Sequence, residues 1–522
     1  MIEANKENYE KYLKHQRKNH LLTLVSAQTS LGKTSAYEKV IKNAFWDKFI
    51  IALPTNELKH QVYNDLVNMG VTDIMETPEI PEINDQEIKE EYFYLMQIGA
   101  VEKRKEFLNN AVKELKEQAE KETNEAKLNK INADINNITY YLVQNETVNH
   151  FEGHIVTTWA RLFYLHWCLI YTHKLIIDED ILRECIKVKT YSLAKLRKTC
   201  NILENHYKEK LQKKIDIILK APYKQINAVE PIYQKYMSNE EIEEIEEEVT
   251  NLHQDIYNIF DVLSISAIYK YNPNKEKMKN SYNDDDLVHC LVCRDIPFMT
   301  TYVLSATMEK DFYIKYFEDR DIEYIKIPHD KYMGKLLQDY SYSYSRTCLD
   351  NSPQILEEIR RQYPNTPLIT FKKFCNEGDY NFGAIEGLNN LEGQDIVVVG
   401  MPYLNDIVYK FFLYSLYGEI IIEDKPHYQR IENDEYSFKI TTYSNEHYQK
   451  IITYFLKSEI EQAVGRARLL RYNCTVHLFS GFPAEQAEFV KDLEIDVTSK
   501  NEEELESKNS EETAMESQDL WY

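Results

Sequence analysis

Short apolar runs rich in branched residues recur along this chain and alternate with longer stretches of mixed polarity. LLTLV (21–25), KFIIAL (48–53), HIVT (154–157), HKLIID (173–178) and TYVLS (301–305) form a first set. Strands buried on both faces of a parallel sheet read this way, with the intervening helix-length segments as their cover. IEYIKI (322–327), PLITF (367–371), DIVVVG (395–400) and CTVHLF (474–479) form a second set. The pattern predicts an α/β chain of two tandem parallel-sheet domains, residues 1–330 and 331–490. Two segments break it. Between 100 and 145, Leu108, Val112, Leu115 and Ala119, then Leu128, Ile131, Ile135 and Ile138, follow helical spacing. This predicts two amphipathic helices broken at Thr123–Asn124. Residues 186–285 are also mostly helical in pattern and end in the polar loop NPNKEKMKNSYNDDD. Both segments read as helical insertions in the first domain, near 80–150 and 186–290.

Composition adds a compartment and a charge map. No run of eighteen apolar residues occurs, and the first twenty residues are polar, so neither a membrane span nor a secretory leader is expected. Eight scattered cysteines fit reduced thiols in a cytoplasm. The formal net charge of −24 is unevenly spread. Residues 240–248, EEIEEIEEE, hold seven acids, and 497–522 carry eight acids against two lysines. The segment 491–522 therefore reads as an acidic disordered tail. Between 186 and 225, eleven Lys/Arg face three acids, so the net charge does not exclude nucleic acid.

The chemistry concentrates in three places. AQTSLGKT, which is Ala27, Gln28, Thr29, Ser30, Leu31, Gly32, Lys33 and Thr34, follows the strand LTLV and precedes a helical pattern. That context makes it a phosphate-binding loop: backbone N–H groups cradle the β-phosphate, Lys33 neutralises the β/γ-phosphates and Thr34 ligates magnesium. HKLIIDED ends a buried strand on Asp178 and Glu179, at the carboxyl edge where open α/β sheets bind ligands. Asp178 suits a Mg2+ ligand, and Glu179 suits a base for an attacking water. KSEIEQAVGRARLLRYNCTVHLF brings Gln462, Arg466, Arg468 and Arg471 to a helix before a strand, where arginines can meet a γ-phosphate whose charge develops on cleavage.

In this order the segments resemble the motifs of superfamily 2 (DEAD/DEAH-like) helicases and translocases over about residues 20–480. AQTSLGKT resembles motif I, ALPTNELKHQV (52–62) motif Ia, IVTTWARL (155–162) motif Ib and IIDED motif II. VLSATM (303–308) resembles motif III, PLITFKKF (367–374) motif IV, GAIEGLNNLEGQDIVVVG (383–400) motif V and QAVGRARLLR motif VI. The S-R pair in SYSYSRTCL (341–349) is similar to helicase-like proteins of phages and mobile elements. The resemblance implies two RecA-like domains with ATP and Mg2+ in the cleft between them. It also implies a role such as DNA replication, with single-stranded DNA as the foremost track and RNA left open. It further implies nucleic-acid or coupling roles for Thr55, Thr158, Arg161, Ser305, Thr307, Thr370, Gly387 and Asn389, and replication or repair proteins as partners of the acidic tail. A duplex translocase without unwinding and an ATP-gated adaptor with little turnover are the alternatives.

Four departures qualify the resemblance. Ser30 stands where motif I has its first glycine, and Ile181 replaces the usual last polar residue of motif II. Leu469 occupies the position of the finger arginine, which leaves Arg468 and Arg471 as candidates. No upstream segment matches an adenine-reading glutamine motif. Cys290-x-x-Cys293 lacks a second pair, which favours buried thiols over a metal site.

Overall fold

The computed structural model describes residues 21–204, 207–271, 286–384, 390–423, 425–432 and 437–491. The predicted Gly387, Asn389 and acidic tail from 492 onward lie outside them, as does nearly all of the 272–286 loop. Strand β1 (Leu21–Ser26) leads through the phosphate-loop sequence into helix α1 (Lys33–Lys42). Strand β2 (Phe49–Leu53) and helix α2 (Asn56–Asn68) follow, then β3 (Ile74–Glu76). Helices α3 (Gln86–Ile98), α4 (Val101–Lys121) and α5 (Glu125–Asn149) come next, and α4 and α5, the two expected amphipathic helices, pack on one another. The chain returns to the sheet as β4 (His154–Thr158) and β5 (Lys174–Asp178).

The segment expected to be mostly helical is a mixed unit. Strands β6 (Ile186–Ser192), β7 (Ile226–Ala228), β8 (Ile265–Tyr271) and β9 (Leu287–Cys293) form an antiparallel sheet of order β6-β9-β8-β7, backed by helices that include α6 (Asn239–Thr250). IKVKTYS and LVHCLVC are short runs amid helical periodicity, and β6 and β9 satisfy each other's backbone only across a long separation. Cys290 and Cys293 sit on β9 three residues apart and therefore face opposite sides. Cys290 is buried in the insertion's own core, whereas Cys293 packs against the cluster shared by the two large sheets. Among the described residues no group of three or more His, Cys, Asp or Glu is arranged to hold a metal.

Strands β10 (Thr301–Ser305) and β11 (Asp321–Lys326) complete the first sheet, which is parallel and ordered β11-β1-β10-β5-β2-β4-β3. The run at 322–327, expected in the second set, thus belongs to the first sheet, pairing in parallel with β1 from Leu21↔Asp321 to Ser26↔Lys326. Its alternation of half-buried and exposed residues is that of an edge strand, a position that apolar content alone does not assign. The second sheet takes β12 (Lys335–Asp339), β13 (Leu368–Thr370), β14 (Tyr380–Asn381), β15 (Ile396–Val399), β18 (Thr475–Phe479) and β19 (Glu488–Val490), in the order β14-β13-β15-β18-β12-β19. Between β15 and β18 run helix α7 (Asp406–Tyr417), the hairpin β16 (His427–Glu432) and β17 (Ser437–Thr442), and the twenty-residue helix α8 (Glu446–Gly465). The architecture is therefore α/β, with two parallel sheets in tandem. One apolar cluster runs through both, joining Ile181, Phe312 and Tyr313 of the first lobe to Phe412 and Phe455 of the second. Among the described residues no helix is long and apolar enough to cross a membrane.

The two insertions are fastened together. The buried Glu246 of α6 accepts the backbone N–H groups of Val101, Glu102 and Lys103 at 2.9–3.0 Å, capping α4, whose own N-cap Ala100 offers no side-chain acceptor. Burial is the largest influence on its carboxyl and holds it above the usual range, although the three donors pull the other way. Glu246→Ala takes the acceptor from three N–H donors at the start of α4 and is expected to destabilise this junction by about 1 kcal/mol. Hydrogen exchange should report it as lost protection in the first turn of α4, while the first sheet stays protected.

Candidate functional site

Three strand ends meet at the carboxyl edge of the first sheet. Strand β10 lies between β1 and β5 in parallel register, with Ser26 beside Ser305 and Leu304 beside Asp178. The loop after β1 is tied down by Ala27 N–H donating to the Ser305 carbonyl at 3.0 Å. It turns through Ser30 at φ 68° and Gly32 at φ 102° before α1 begins. Ser30, in place of a glycine, thus sits in the left-handed region, which costs an L-residue about 1 kcal/mol. Its carbonyl is held from outside by Arg471, whose Nε donates at 2.9 Å.

The acids after β5 divide their attention. Asp178 Oδ2 accepts the hydroxyls of Thr34 at 3.1 Å and Tyr37 at 3.0 Å. Burial, then the adjacent Glu179 charge, pushes its carboxyl up to about 6, against the pull of Lys33 and the two hydroxyls. Glu179 sits at φ 76° and offers one oxygen to Lys33 Nζ at 3.6 Å and the other to the Ser305 hydroxyl at 3.3 Å. A buried carboxylate next to a hydroxyl and to a second acid is a site that gains from a divalent cation, so Thr34 and Asp178 fit Mg2+. Asp180 is buried and turns away, accepting the phenols of Tyr313 and Tyr454 at 2.7 Å each.

Tyr454 belongs to α8, and α8 crosses all three strand ends. Tyr454, Ser458, Glu461–Gln462 and Gly465 follow helical spacing over about 16 Å. Tyr454 meets Asp180 after β5, and Ser458 meets Thr307 after β10 at 3.2 Å. Gly465 backs onto the phosphate loop so closely that a Cβ there would overlap the Thr29 methyl. Beside this stripe the partly buried pair Arg183–Glu459 adds an ion pair, with the guanidinium 4.6 Å from the Phe455 ring.

The predicted residues therefore separate into groups. Ala27 through Thr34, Asp178, Glu179, Ser305 and Thr307 converge at this edge. Gln28 accepts the Asp330 N–H at 3.0 Å, which ties the loop to the segment entering the second lobe. Gln462 and Arg466 are half-buried at the end of α8. Of the two finger candidates, Arg471 reaches the loop, its Nη2 only 3.1 Å from where a Gly32 Cβ would stand, while Arg468 is paired with Glu392 at 3.0 Å in its own lobe. Thr370 is fully buried and donates to the Val399 carbonyl at 2.9 Å, so it presents no surface. Thr55 caps α2 by accepting the Leu58 N–H at 3.3 Å. Thr158 and Arg161 line a cavity of about 1870 Å³ between the first sheet's loops, both insertions and the end of α7. Arg104, Arg294 and Lys315 line it with the aromatic rings of Phe163 and Tyr417, and several of its acids are already ion-paired, as in Lys105–Glu146 and Arg294–Asp261.

Sequence reasoning missed Tyr37, Asp180, Ser458 and Glu461. Burial pushes the Glu461 carboxyl up to about 7; Lys457 and Lys33 lower it, and Glu485 and Glu179 raise it further, which puts it in the field of the same site. Position could have flagged two of them: Tyr37 lies one helical turn beyond Thr34, and Ser458 lies one turn before Gln462.

No protein-family model matches this sequence, and none of the curated proteins does. Among solved structures the chain is similar to one named XPD_Helicase, at 15% identity, covering 91% of this chain and 95% of that one, with a TM-score of 0.47. The S. tokodaii Xpd4 structure covers 93% and 99% at 13% identity and a TM-score of 0.43. S. cerevisiae Dbp5 bound to RNA and ADP BeF3 covers 90% and 85% at 10% identity and a TM-score of 0.31.

The closeness of Gly465 and Thr29 gives a sign-reversed test. Alanine normally stabilises a helix relative to glycine by up to about 1 kcal/mol. Here Gly465→Ala is expected to lower the thermal midpoint, because overpacking of this kind costs about 1–3 kcal/mol. Thr29→Ser, which removes the methyl, should recover part of the loss in the double variant, as read by calorimetry.

Proposed function

We propose that this chain is an ATP-dependent nucleic-acid motor of the superfamily 2 helicase type, coupling hydrolysis to movement along a strand and to strand separation. One observation carries the reading: Lys33, the Asp178–Glu179 pair and, from the second lobe, Arg471 gather around a single phosphate-loop turn. In this reading residues up to about 330 form the ATP-binding lobe and 331–490 the second lobe.

Lys33, which rests 3.6 Å from Glu179, turns to the β/γ-phosphates when ATP enters, while the N–H groups of the loop and of α1 cradle the β-phosphate. Thr34 and Asp178 would hold Mg2+, which would supply neutralisation of charge on the phosphate oxygens. Glu179 orients the attacking water and takes its proton. Arg471, with Arg466 and Gln462 at the end of α8, meets the charge that develops on the γ-phosphate. Arg468, engaged by Glu392, stays in its own lobe. Retreat of α8 after cleavage reopens the edge, and the lobes alternate their hold on the strand.

Single-stranded DNA is the proposed track, running through the cavity over Thr158 and Arg161. Its aromatic and cationic lining suits bases and phosphates of an unpaired strand. The same backbone contacts accept RNA, so the direct test is phosphate release measured with single-stranded DNA, duplex DNA and RNA side by side. Stimulation by none of them would defeat the motor reading.

Lys33→Ala is expected to abolish turnover. Glu179→Gln should bind ATP normally and lose hydrolysis by about 10²–10⁴-fold, as equilibrium binding and steady-state kinetics would report. Asp178 carries a carboxyl raised to about 6, so it is protonated below that pH and must ionise to hold a cation. Mg2+-dependent nucleotide affinity should therefore fall as pH drops through about 6. Strand affinity should drop steeply with added salt in a fluorescence titration, because phosphate contacts release counterions.

A further inference from the structure

A continuous chain of buried hydroxyls connects the second lobe to Glu179. Ser305, Thr307 and Ser458 are 0%, 6% and 3% exposed. Ser458 Oγ lies 3.2 Å from Thr307 Oγ1, which lies 3.5 Å from Ser305 Oγ, which donates to Glu179 Oε2 at 3.3 Å. The Thr307 backbone N–H also donates to Ser305 Oγ at 3.2 Å. A hydroxyl carries one proton, and a carboxylate only accepts. The direction of the chain follows: Ser305 gives its proton to Glu179, Thr307 gives its own to Ser305, and Ser458 gives its own to Thr307. Each bond polarises the next.

The two oxygens of Glu179 are divided between Lys33 and Ser305. Once Lys33 turns to a phosphate, the Ser305 hydroxyl still holds the carboxylate, whose backbone is in the left-handed region at φ 76°. Ser305 in turn has its proton aimed by Thr307 and, through it, by a residue of α8. Two flanking contacts, Tyr454 on Asp180 and Arg183 on Glu459, hold α8 in register for that meeting.

We infer that Ser458 is a positioning residue for hydrolysis: the second lobe sets the orientation of Glu179 through Ser458, Thr307 and Ser305, so that the base is aligned only while α8 lies against the strand ends. This rests on the ATPase reading above. It departs from the sequence expectation, in which Ser305 and Thr307 link the ATP site to the nucleic-acid groove, because their next partner is a helix of the other lobe.

The test is steady-state ATP hydrolysis by Ser458→Ala and Ser458→Thr in the full chain, with Lys33→Ala alongside and a thermal midpoint for each. A lost hydroxyl should lower kcat by about tenfold, an order below the loss that a 1 Å misplacement can bring, and leave KM for ATP within about twofold. Ser458→Thr keeps the hydroxyl and should recover kcat to within about twofold of the parent. A structural role alone would move stability or KM and would not be rescued selectively in kcat. Lys33→Ala inactive beside a Ser458→Ala with parental kcat overturns the relay alone. A loss carried by KM, or a threonine variant as impaired as the alanine one, also overturns it. Lys33→Ala with parental turnover overturns the ATPase reading, and the relay falls with it.

Discussion

The position of helix α8 across the strand ends of the first sheet is the constraint on which the rest of this structure depends. One face of the helix meets Asp180, Thr307 and the phosphate loop in turn, and the first two meetings are buried. Its parts are mutually dependent. The Arg183–Glu459 pair survives burial because each charge has the other, and removing one would leave the remaining charge uncompensated. Burial holds the Asp180 carboxyl above its usual range, and the two phenols that donate to it pull the other way. An apolar cluster continues from one sheet to the other beneath these polar contacts, so the lobes are packed together as well as hydrogen-bonded. Such an interface has discrete arrangements rather than a soft continuum, which is what a conformational cycle requires.

That geometry gives three consecutive acids three different sets of partners. Asp178 faces back to Thr34 and Tyr37 on α1, Glu179 faces up to Lys33 and Ser305, and Asp180 faces across to the second lobe. Consecutive residues point apart at the end of a strand, and the left-handed turn at Glu179 increases their divergence. Under the proposed function, metal holding, water activation and lobe coupling would fall to neighbours in the sequence. Ile181, which replaces a polar residue in the family pattern, is buried in the interlobe cluster, and Asp180 and Arg183 carry the polar contacts to α8 instead.

Much of this was legible in the sequence because its signals are local. A buried strand running into A-Q-T-S-L-G-K-T, or ending in D-E-D, announces its chemistry within a few residues. The strands at 21–26, 49–53, 154–158, 174–178 and 301–305 were readable for the same reason. What stayed hidden depends on partners far along the chain. Nothing near 321–326 says that it pairs with β1 rather than beginning a second sheet. Nothing in IKVKTYS says that LVHCLVC, about a hundred residues on, completes its hydrogen bonds. Arg468 and Arg471 differ only in what faces them, Glu392 in one case and the Ser30 carbonyl in the other. Ser458 and Tyr454 look like ordinary helix residues until the other lobe is in place.

The central claim is that Lys33 and the end of α8 address one triphosphate from opposite lobes. A structure determined with a non-hydrolysable ATP analogue and Mg2+ tests it most directly. The account predicts a γ-phosphate within hydrogen-bond reach of both Lys33 and Arg471, with Glu179 facing it and still held by Ser305. An analogue bound elsewhere, or held by Lys33 while α8 and Arg471 stand clear of the phosphates, would contradict it.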